Sequence, residues 1–149
     1  MKSRGKMLRV VVDTNVFVSS LLSNRGQPFA VLEAWKAKKF ILVMSPEQQA
    51  ELQDVFSRPR LIKRCHLSLS EINNLLVQID LLSQKVSGTT VLPVAVRDVK
   101  DEKILASAIG GAVDCLVTGD IDLLTLNGNS MLGTLKIVTV REFLSIISS

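Results

Sequence analysis

The sequence is poor in histidine, cysteine and aromatic residues, and these shortages exclude several kinds of site. Its 149 residues include one histidine, two cysteines and no tyrosine. Because His66 is the only histidine, the chain offers no Ser-His-Asp or Cys-His arrangement for nucleophilic catalysis. Cys65 and Cys115 have neither the spacing of metal ligands nor the number needed for a disulfide framework. We therefore expect a reducing, cytoplasmic location.

Long apolar runs are also missing. No segment has eighteen consecutive apolar residues, so none predicts a membrane span. Residues 1–9 are basic, without the apolar region and cleavage site of a signal peptide. Hydrophobic residues make up 47% of the chain and aromatic residues 4%, which predicts an aliphatic core. The length suits a single domain over residues 1–149, with residues 1–7 as a flexible basic N-terminus.

The formal charge of +4 comes from 18 lysines and arginines against 14 acids. If four acids converge on one metal site, 18 cations and 10 acids remain elsewhere, a formal charge of +8. A basic surface around an acidic hole suits a substrate with a phosphate backbone. Scattered surface lysines explain the same composition, so charge alone leaves both interpretations open.

The most informative segment is an apolar run that ends in an acid. The three valines at 10–12 suit a strand buried on both faces, and Asp13 follows them. A carboxylate there is costly to keep ionised unless a cation or hydrogen-bond donors surround it. The segment 116–122 repeats the pattern and supplies Asp120 and Asp122. In open α/β sheets ligands bind at the carboxyl ends of the strands, so these acids are predicted to meet.

Two helices are predicted to bring further acids to the same edge. Glu51 lies on a helix that opens with Ser45 and Pro46, and Asp101 lies on the first turn of another. Asp98 and Glu102 compete with Asp101 for this role. We choose Asp101 because Asp98 precedes the helix.

Strand-like and helix-like segments alternate, which predicts a mostly parallel sheet with helices on both faces. Capping boxes, in which a serine or threonine is followed three residues later by a glutamate, begin helices at Ser68 and Thr139. Pro93 limits the segment 91–96 to an edge strand at most. The other predicted elements are strands at 9–12, 40–44, 115–118 and 136–138, and helices from Gln27, from Pro46 and over 101–109.

Each acid also has a structural interpretation. Asp13 could cap a helix, Asp101 could stabilise a helix N-terminus, and Asp120 after a glycine could serve a turn. Glu51 could be a solvated helix residue. The convergence of several acids after buried strands favours a metal site for the three aspartates, whereas for Glu51 these residues alone favour the solvated interpretation.

Several motifs occur in an order and spacing that resemble the PIN domain family over about residues 8–144. The motifs are Val-Asp-Thr-Asn-Val-Phe-Val at 12–18, Ser-Pro-Glu at 45–47, Ala-Glu-Leu at 50–52, Asp-x-x-Asp at 98–101 before Leu-Ala-Ser-Ala, and Val-Thr-Gly-Asp-Ile-Asp-Leu-Leu at 117–124. The Thr-Gly-Asp-x-Asp-Leu-Leu form and the Arg-Glu-Phe near the end are most similar to the subgroup of toxins from toxin–antitoxin pairs.

The resemblance implies a three-layer α/β/α sandwich with a central, mostly parallel sheet. It also implies a ribonuclease that uses Mg²⁺ or Mn²⁺, as one or two ions, to cut single-stranded RNA. A homodimer and a small antitoxin protein that covers the acidic cleft are the implied partners. Carried over by motif, the site residues are Asp13, Glu51, Asp101 and Asp120, with Asn15, Ser19, Thr118 and Asp122 in support.

Hard cations such as Mg²⁺ and Mn²⁺ take oxygen ligands. Without a cation, two carboxylates at ~4 Å repel each other by about 4 kcal/mol at an effective dielectric near 20. The acid cluster therefore needs a cation or protons. We expect Asp13 to be the central metal ligand, with Asp101 and Asp120 completing the set. Glu51 is expected either to position the attacking water or to act as the general base. A basic run could guide RNA, although such runs are usually solvated: it contains Arg58, Arg60, Lys63 and Arg64.

Three other functions remain open from the sequence. A nuclease of the same family could act on structured RNA or DNA in processing or repair, because function depends on the site and not on the fold. A degenerate member could bind RNA or protein with little catalysis, although an intact acid set argues against this. A phosphatase with an aspartate nucleophile is disfavoured, since Asp13-Thr14-Asn15 lacks the second aspartate of an Asp-x-Asp motif.

Overall fold

The strands form one sheet in which every neighbouring pair is parallel. The computed structural model describes residues 7–87 and 90–148, and residues 1–6 of the predicted flexible N-terminus lie outside this part. Within it the strands are β1 (Arg9–Val12), β2 (Ile41–Met44), β3 (Gln84–Lys85), β4 (Cys115–Val117) and β5 (Lys136–Val138). Their order across the sheet is β3-β2-β1-β4-β5. The predicted parallel sheet is confirmed.

The helices occupy the connections between these strands. They are α1 (Thr14–Leu22), α2 (Gln27–Lys36), α3 (Pro46–Val55), α4 (Pro59–Arg64), α5 (Leu69–Leu82), α6 (Val99–Gly110), α7 (Ile121–Leu124) and α8 (Val140–Ile147), with a 3₁₀ turn at Ser130–Leu132. Both predicted capping boxes form, at the starts of α5 and α8. None of the described helices is long and apolar enough to cross a membrane.

Alternating strand residues separate two hydrophobic cores. Val10 and Val12 belong to one core, with side chains from α1, α2, α3, α5 and α8, whereas Val11 belongs to the other, with side chains from α6 and α7. All three valines are at most 2% exposed. A strand covered on both faces has no room for polar alternation, which is why its sequence is continuously apolar. The result is the expected three-layer α/β/α sandwich.

The strand order creates a switch point between β1 and β4. The chain passes outward from β1 to β2 on one side, and β4 and β5 lie on the other. In open α/β sheets a crevice forms at this point beyond the carboxyl ends of the strands. Asp13 follows β1 and Asp120 comes three residues after the end of β4, so the topology places both acids beside the crevice.

The position of the edge strand and three short helices were not predicted. The segment 91–96 is not a strand, and the edge position is held by Gln84–Lys85 instead. Pro93 has no N–H to donate to a neighbouring strand, which accounts for the difference. Helix α1 begins directly after Asp13, α4 occupies the basic run at 59–64, and α7 follows Asp120.

Candidate metal centre

Four of the predicted acids line one cavity at the carboxyl ends of β1 and β4. The cavity has a volume of about 640 Å³. Its lining includes Asp13, Glu51, Asp101 and Asp120, which come from four separate parts of the chain. The fold thus brings these carboxylates together, and their metal and catalytic roles remain predictions.

Three acids stand closer together than the rest. Asp101, Asp120 and Asp122 each offer a carboxylate oxygen, and the three oxygens lie within 4.8 Å of one another. The sequence had placed Asp13 in the metal set and Asp122 in support, whereas Asp13 lies beside this group and not in it. Asp120 is the N-cap of α7 and accepts from the Asp122 N–H at 2.8 Å, so these two acids lie together at the start of one helix.

The electrostatics of the cluster favour a bound proton or cation. Burial is the main cause that raises the pKa of Asp101 to about 7; a hydrogen bond with Asp120 and the charges of Asp120, Asp98 and Asp13 raise it further. Burial also raises the pKa of Asp13, against the opposing effect of a hydrogen bond from Thr118. Carboxylates with these properties are costly to ionise together unless positive charge is supplied.

Thr118 links the two acids that follow the strands. Its side chain is fully buried, its hydroxyl donates to Asp13 Oδ2 at 2.8 Å, and its oxygen accepts from the Asp120 N–H at 3.0 Å. Its own backbone N–H bonds to β5 through the Val138 carbonyl. One hydroxyl therefore fixes the relative positions of Asp13 and Asp120, as the predicted supporting role requires.

Sequence reasoning missed two residues that hold Glu51. The Thr14 hydroxyl donates to Glu51 Oε1 at 2.6 Å. The Gln48 amide donates to the Val12 carbonyl at 2.7 Å and ties α3 to the end of β1. Both side chains are buried. The sequence did offer two indications of these roles. Thr14 directly follows Asp13, and Gln48 lies three residues before Glu51 on the same helix.

The structure shows which of the acids cap a helix and which are buried at the cavity. Asp13 occupies the N-cap position of α1, yet its side chain makes no capping hydrogen bond. Asp98 caps α6 by accepting from the Lys100 N–H at 2.7 Å, while Glu102 is exposed and does not line the cavity. Asp101 is only 7% exposed, so of the three acids near this helix it is the buried one. Asp120 caps α7 and also lines the cavity.

Of the predicted supporting residues Asn15 and Ser19, only Asn15 lines the cavity. Asn15 is exposed and lines the cavity. Ser19 is exposed on α1 and is not among the lining residues. It lies one helical turn beyond Asn15, roughly 6 Å further along the axis, which carries it out of the cavity. A direct role for Ser19 at the site is therefore not supported.

The basic run forms helix α4 and part of the cavity wall. Arg58, Arg60 and Arg64 line the cavity, whereas Lys63 does not. Arg58 pairs with Asp54 at 2.8 Å on the surface. Within residues 7–87 and 90–148, Arg60 and Arg64 have no acidic partner within 4 Å. Two guanidinium groups are therefore available to an anion that enters the cavity.

Replacing Thr118 by valine tests the linking hydroxyl. Valine keeps the volume but removes the donor to Asp13 and the acceptor for the Asp120 N–H. We expect any metal-dependent activity of the cavity to fall by about 10-fold to 100-fold, the usual effect of losing an outer-shell partner. Steady-state rates and metal titrations of both proteins measure the change. The control is Thr118→Ser, which keeps the hydroxyl and should retain most of the activity; equal losses in both variants would contradict the role of the hydroxyl.

Comparison with known proteins agrees with this geometry. A family model described as PIN domain matches residues 9–122. An uncharacterized protein of Methanocaldococcus jannaschii, MJ1680, is 30% identical over 142 residues, which cover 92% of this chain and 90% of that protein. The structure of VapBC2 from Rickettsia felis, bound to a DNA fragment from their promoter, has a similar fold, with a TM-score of 0.56 and 16% identity; the match covers 89% of this chain and 98% of that chain. The chain therefore belongs to the PIN domain family.

Proposed function

We propose that the protein is a metal-dependent endoribonuclease that cuts single-stranded RNA and acts as the toxin of a toxin–antitoxin pair. PIN domains are generally nucleases, which gives the reaction class. The observation that carries the proposal is the group formed by Asp101, Asp120 and Asp122, whose oxygens lie within 4.8 Å of one another. Asp101 and Asp120 line a cavity that has arginines on its wall.

The donor set fits a hard divalent cation. All candidate ligands are carboxylate oxygens, which suit Mg²⁺ or Mn²⁺ better than softer metals. Asp101, Asp120 and Asp122 would hold the ion, and Asp13 lies close enough to Asp120 for their charges to interact. When bound, such a cation supplies charge neutralisation at a phosphodiester and lowers the pKa of a water ligand.

The surrounding residues position the groups that would act on the substrate. Glu51 is the candidate general base: Thr14 occupies one of its carboxylate oxygens, and the other lies 3.9 Å from Lys100 Nζ. The fixed orientation leaves Glu51 directed into the cavity that Asp13 and Asp101 also line. A carboxylate held in this way can accept a proton from an attacking water.

A nucleic acid is the class of substrate that the charges favour, and we propose that it is RNA. Among the residues that the structure describes, Arg60 and Arg64 have no acidic partner within 4 Å, and both line the cavity that holds the acid cluster. The whole chain carries a formal charge of +4. Arginine binds phosphate oxygens in a forked geometry.

A protein partner is part of the proposal. The Rickettsia felis structure that shares this fold contains VapBC2 on a fragment of promoter DNA. We propose that a small antitoxin covers the acidic cavity here too, that the protein forms a homodimer, and that it acts in the cytoplasm. Light scattering of the purified chain, alone and with the product of a neighbouring small gene, measures both associations.

The function is tested with a mixed panel of single-stranded RNA, structured RNA and DNA. We expect wild-type protein to cut the single-stranded RNA with Mn²⁺ or Mg²⁺ and to stop in EDTA. Preferential cutting of structured RNA or of DNA would point to a processing or repair nuclease. Retention of RNA without any cutting would support a binding module, and failure to bind or cut would contradict the proposal.

A further inference from the structure

A second, smaller cavity lies beside the metal centre, between helices α3 and α6. Its volume is about 230 Å³. Glu51 and Lys100 line both cavities, so the two spaces adjoin. Beyond them, Glu47 and Lys103 line only the smaller space, which we call the side cavity. No role in the proposed reaction has yet been given to this space.

Two lysines on α6 give the side cavity its available positive charge. Lys100 and Lys103 are three residues apart on the helix, so their Cβ atoms lie roughly 5–6 Å from each other on one face. The contact between Lys100 Nζ and Glu51 Oε2 is long, at 3.9 Å, and the lysine side chain is 85% exposed. Lys103 forms no ion pair with any residue in the described ranges 7–87 and 90–148. Both ammonium groups can therefore turn towards an anion.

The acids of the side cavity are less available. Glu51 is held by the Thr14 hydroxyl at 2.6 Å, which fixes its carboxylate at the junction with the main cavity. Glu47 is exposed on the first turn of α3. An incoming phosphate would meet the two lysines and be repelled by Glu47 and by Glu51, whose charge Lys100 partly offsets from 3.9 Å.

Cations consequently flank the acid cluster on two sides. Arg60 and Arg64 on α4 line the main cavity only, and Lys103 lines the side cavity only. We propose that the side cavity binds a phosphate group of a nucleotide next to the one being cut. Single-stranded RNA would then run from the α4 arginines across the acids and over Lys100 to Lys103. This assignment rests on the proposed function.

The test is the affinity of a labelled single-stranded RNA of about twelve nucleotides for wild-type protein and variants, measured in EDTA at several salt concentrations. We expect Lys103→Ala to weaken binding about fivefold and to lower the slope of log affinity against log salt by about 0.7, the loss of one phosphate contact. Glu47→Gln should strengthen RNA binding, because it removes a negative charge from the side cavity. Lys103→Arg should retain the wild-type slope.

The control is Lys39→Ala. Lys39 is exposed and precedes β2, so it lies at the amino ends of the strands, away from both cavities. This variant should leave the slope of log affinity against log salt unchanged. If wild-type protein cuts RNA with Mn²⁺ but Lys103→Ala and Lys39→Ala bind alike, the side cavity assignment is wrong and the proposed function stands. If wild-type protein binds RNA without cutting it and only Lys103→Ala lowers the slope, the RNA path stands and the proposed catalysis fails. Absence of RNA binding by the wild type contradicts both.

Discussion

Replacing Asp120 by asparagine should lower the rate of RNA cleavage by about 10²-fold to 10³-fold, the effect expected when a preorganised electrostatic contact at the reacting centre is lost. Asp120 is placed to affect three neighbours at once. Its carboxylate is grouped with those of Asp101 and Asp122, and its backbone N–H is held by Thr118. Asparagine has nearly the same shape, so the fold should remain while one negative charge is removed from the candidate ligands.

Cleavage of a labelled single-stranded RNA under saturating Mn²⁺ measures this effect. The control is Asp80→Asn, which also removes one negative charge but at an exposed site on α5 that pairs with Lys85 at 3.6 Å. We expect the control to cut at the wild-type rate. Equal cutting by wild-type protein and Asp120→Asn would show that the acids are not the catalytic centre and that the activity comes from a contaminant.

The RNA cleavage assay also tests two alternative sets of metal ligands, one expected from the sequence and one grouped in the structure. The sequence favours Asp13 as a direct metal ligand, whereas the structure groups Asp122 with Asp101 and Asp120. If the grouping reports the ligands, Asp122→Asn should raise the Mn²⁺ concentration needed for half-maximal rate more than Asp13→Asn does. The reverse order would favour the sequence-based assignment.

Metal-free wild-type protein should lose stability between about pH 4 and pH 7 through Asp101. The pKa of this carboxyl is about 7 in the folded protein against an ordinary value of 3.8, so the folded state holds the proton more tightly than the unfolded state. The stabilising contribution of the proton is complete below about pH 4 and is lost as pH rises through about 7. The slope approaches about 1.4 kcal/mol per pH unit, and the total is at most about 4 kcal/mol.

Asp101→Asn isolates this contribution because asparagine resembles the neutral carboxyl at every pH. Urea unfolding in EDTA from pH 4 to pH 8 should give similar free energies of unfolding for both proteins at pH 4. At pH 8 the variant should be the more stable one, by up to several kcal/mol. A difference between the proteins that does not change with pH would contradict the raised pKa of Asp101.

Divalent metal should offset most of the stability difference between the two proteins at neutral pH. A cation at 100 times its dissociation constant adds about 2.7 kcal/mol to the free energy of unfolding. We expect Mn²⁺ to stabilise wild-type protein more at pH 8 than at pH 5, because protons compete for the same oxygens. Asp101→Asn should show little of this stabilisation. Thermal unfolding with and without Mn²⁺ measures it directly.

Elements with strong local signals could be predicted from sequence. The valines at 10–12 determine a buried central strand, because only a strand covered on both faces suits three consecutive apolar β-branched residues. The capping boxes that start at Ser68 and Thr139 fix two helix starts, since each satisfies backbone donors within four residues. These features depend on neighbours in the chain and so are visible in the sequence.

Elements that depend on distant contacts could not be predicted in the same way. Helix α4 has no buried residue of its own, and its sequence reads as a basic run after a proline. The edge strand β3 is two exposed residues, Gln84 and Lys85, defined by pairing with β2. A two-residue strand has no periodicity, so only the partner strand reveals it.

The sequence by itself determined that Asp13 and Asp120 follow buried strands and that Asp101 lies on the first turn of a helix, whereas Glu51 was assigned to the site from the resemblance to the PIN domain family. Only the tertiary structure decided their grouping. Asp122 groups with Asp101 and Asp120, the N-cap of the same helix α7, while Asp13 accepts a hydrogen bond from Thr118 and lies outside that group. Strand and helix positions follow from spacing along the chain, but distances of a few ångströms between side chains depend on how separate elements pack.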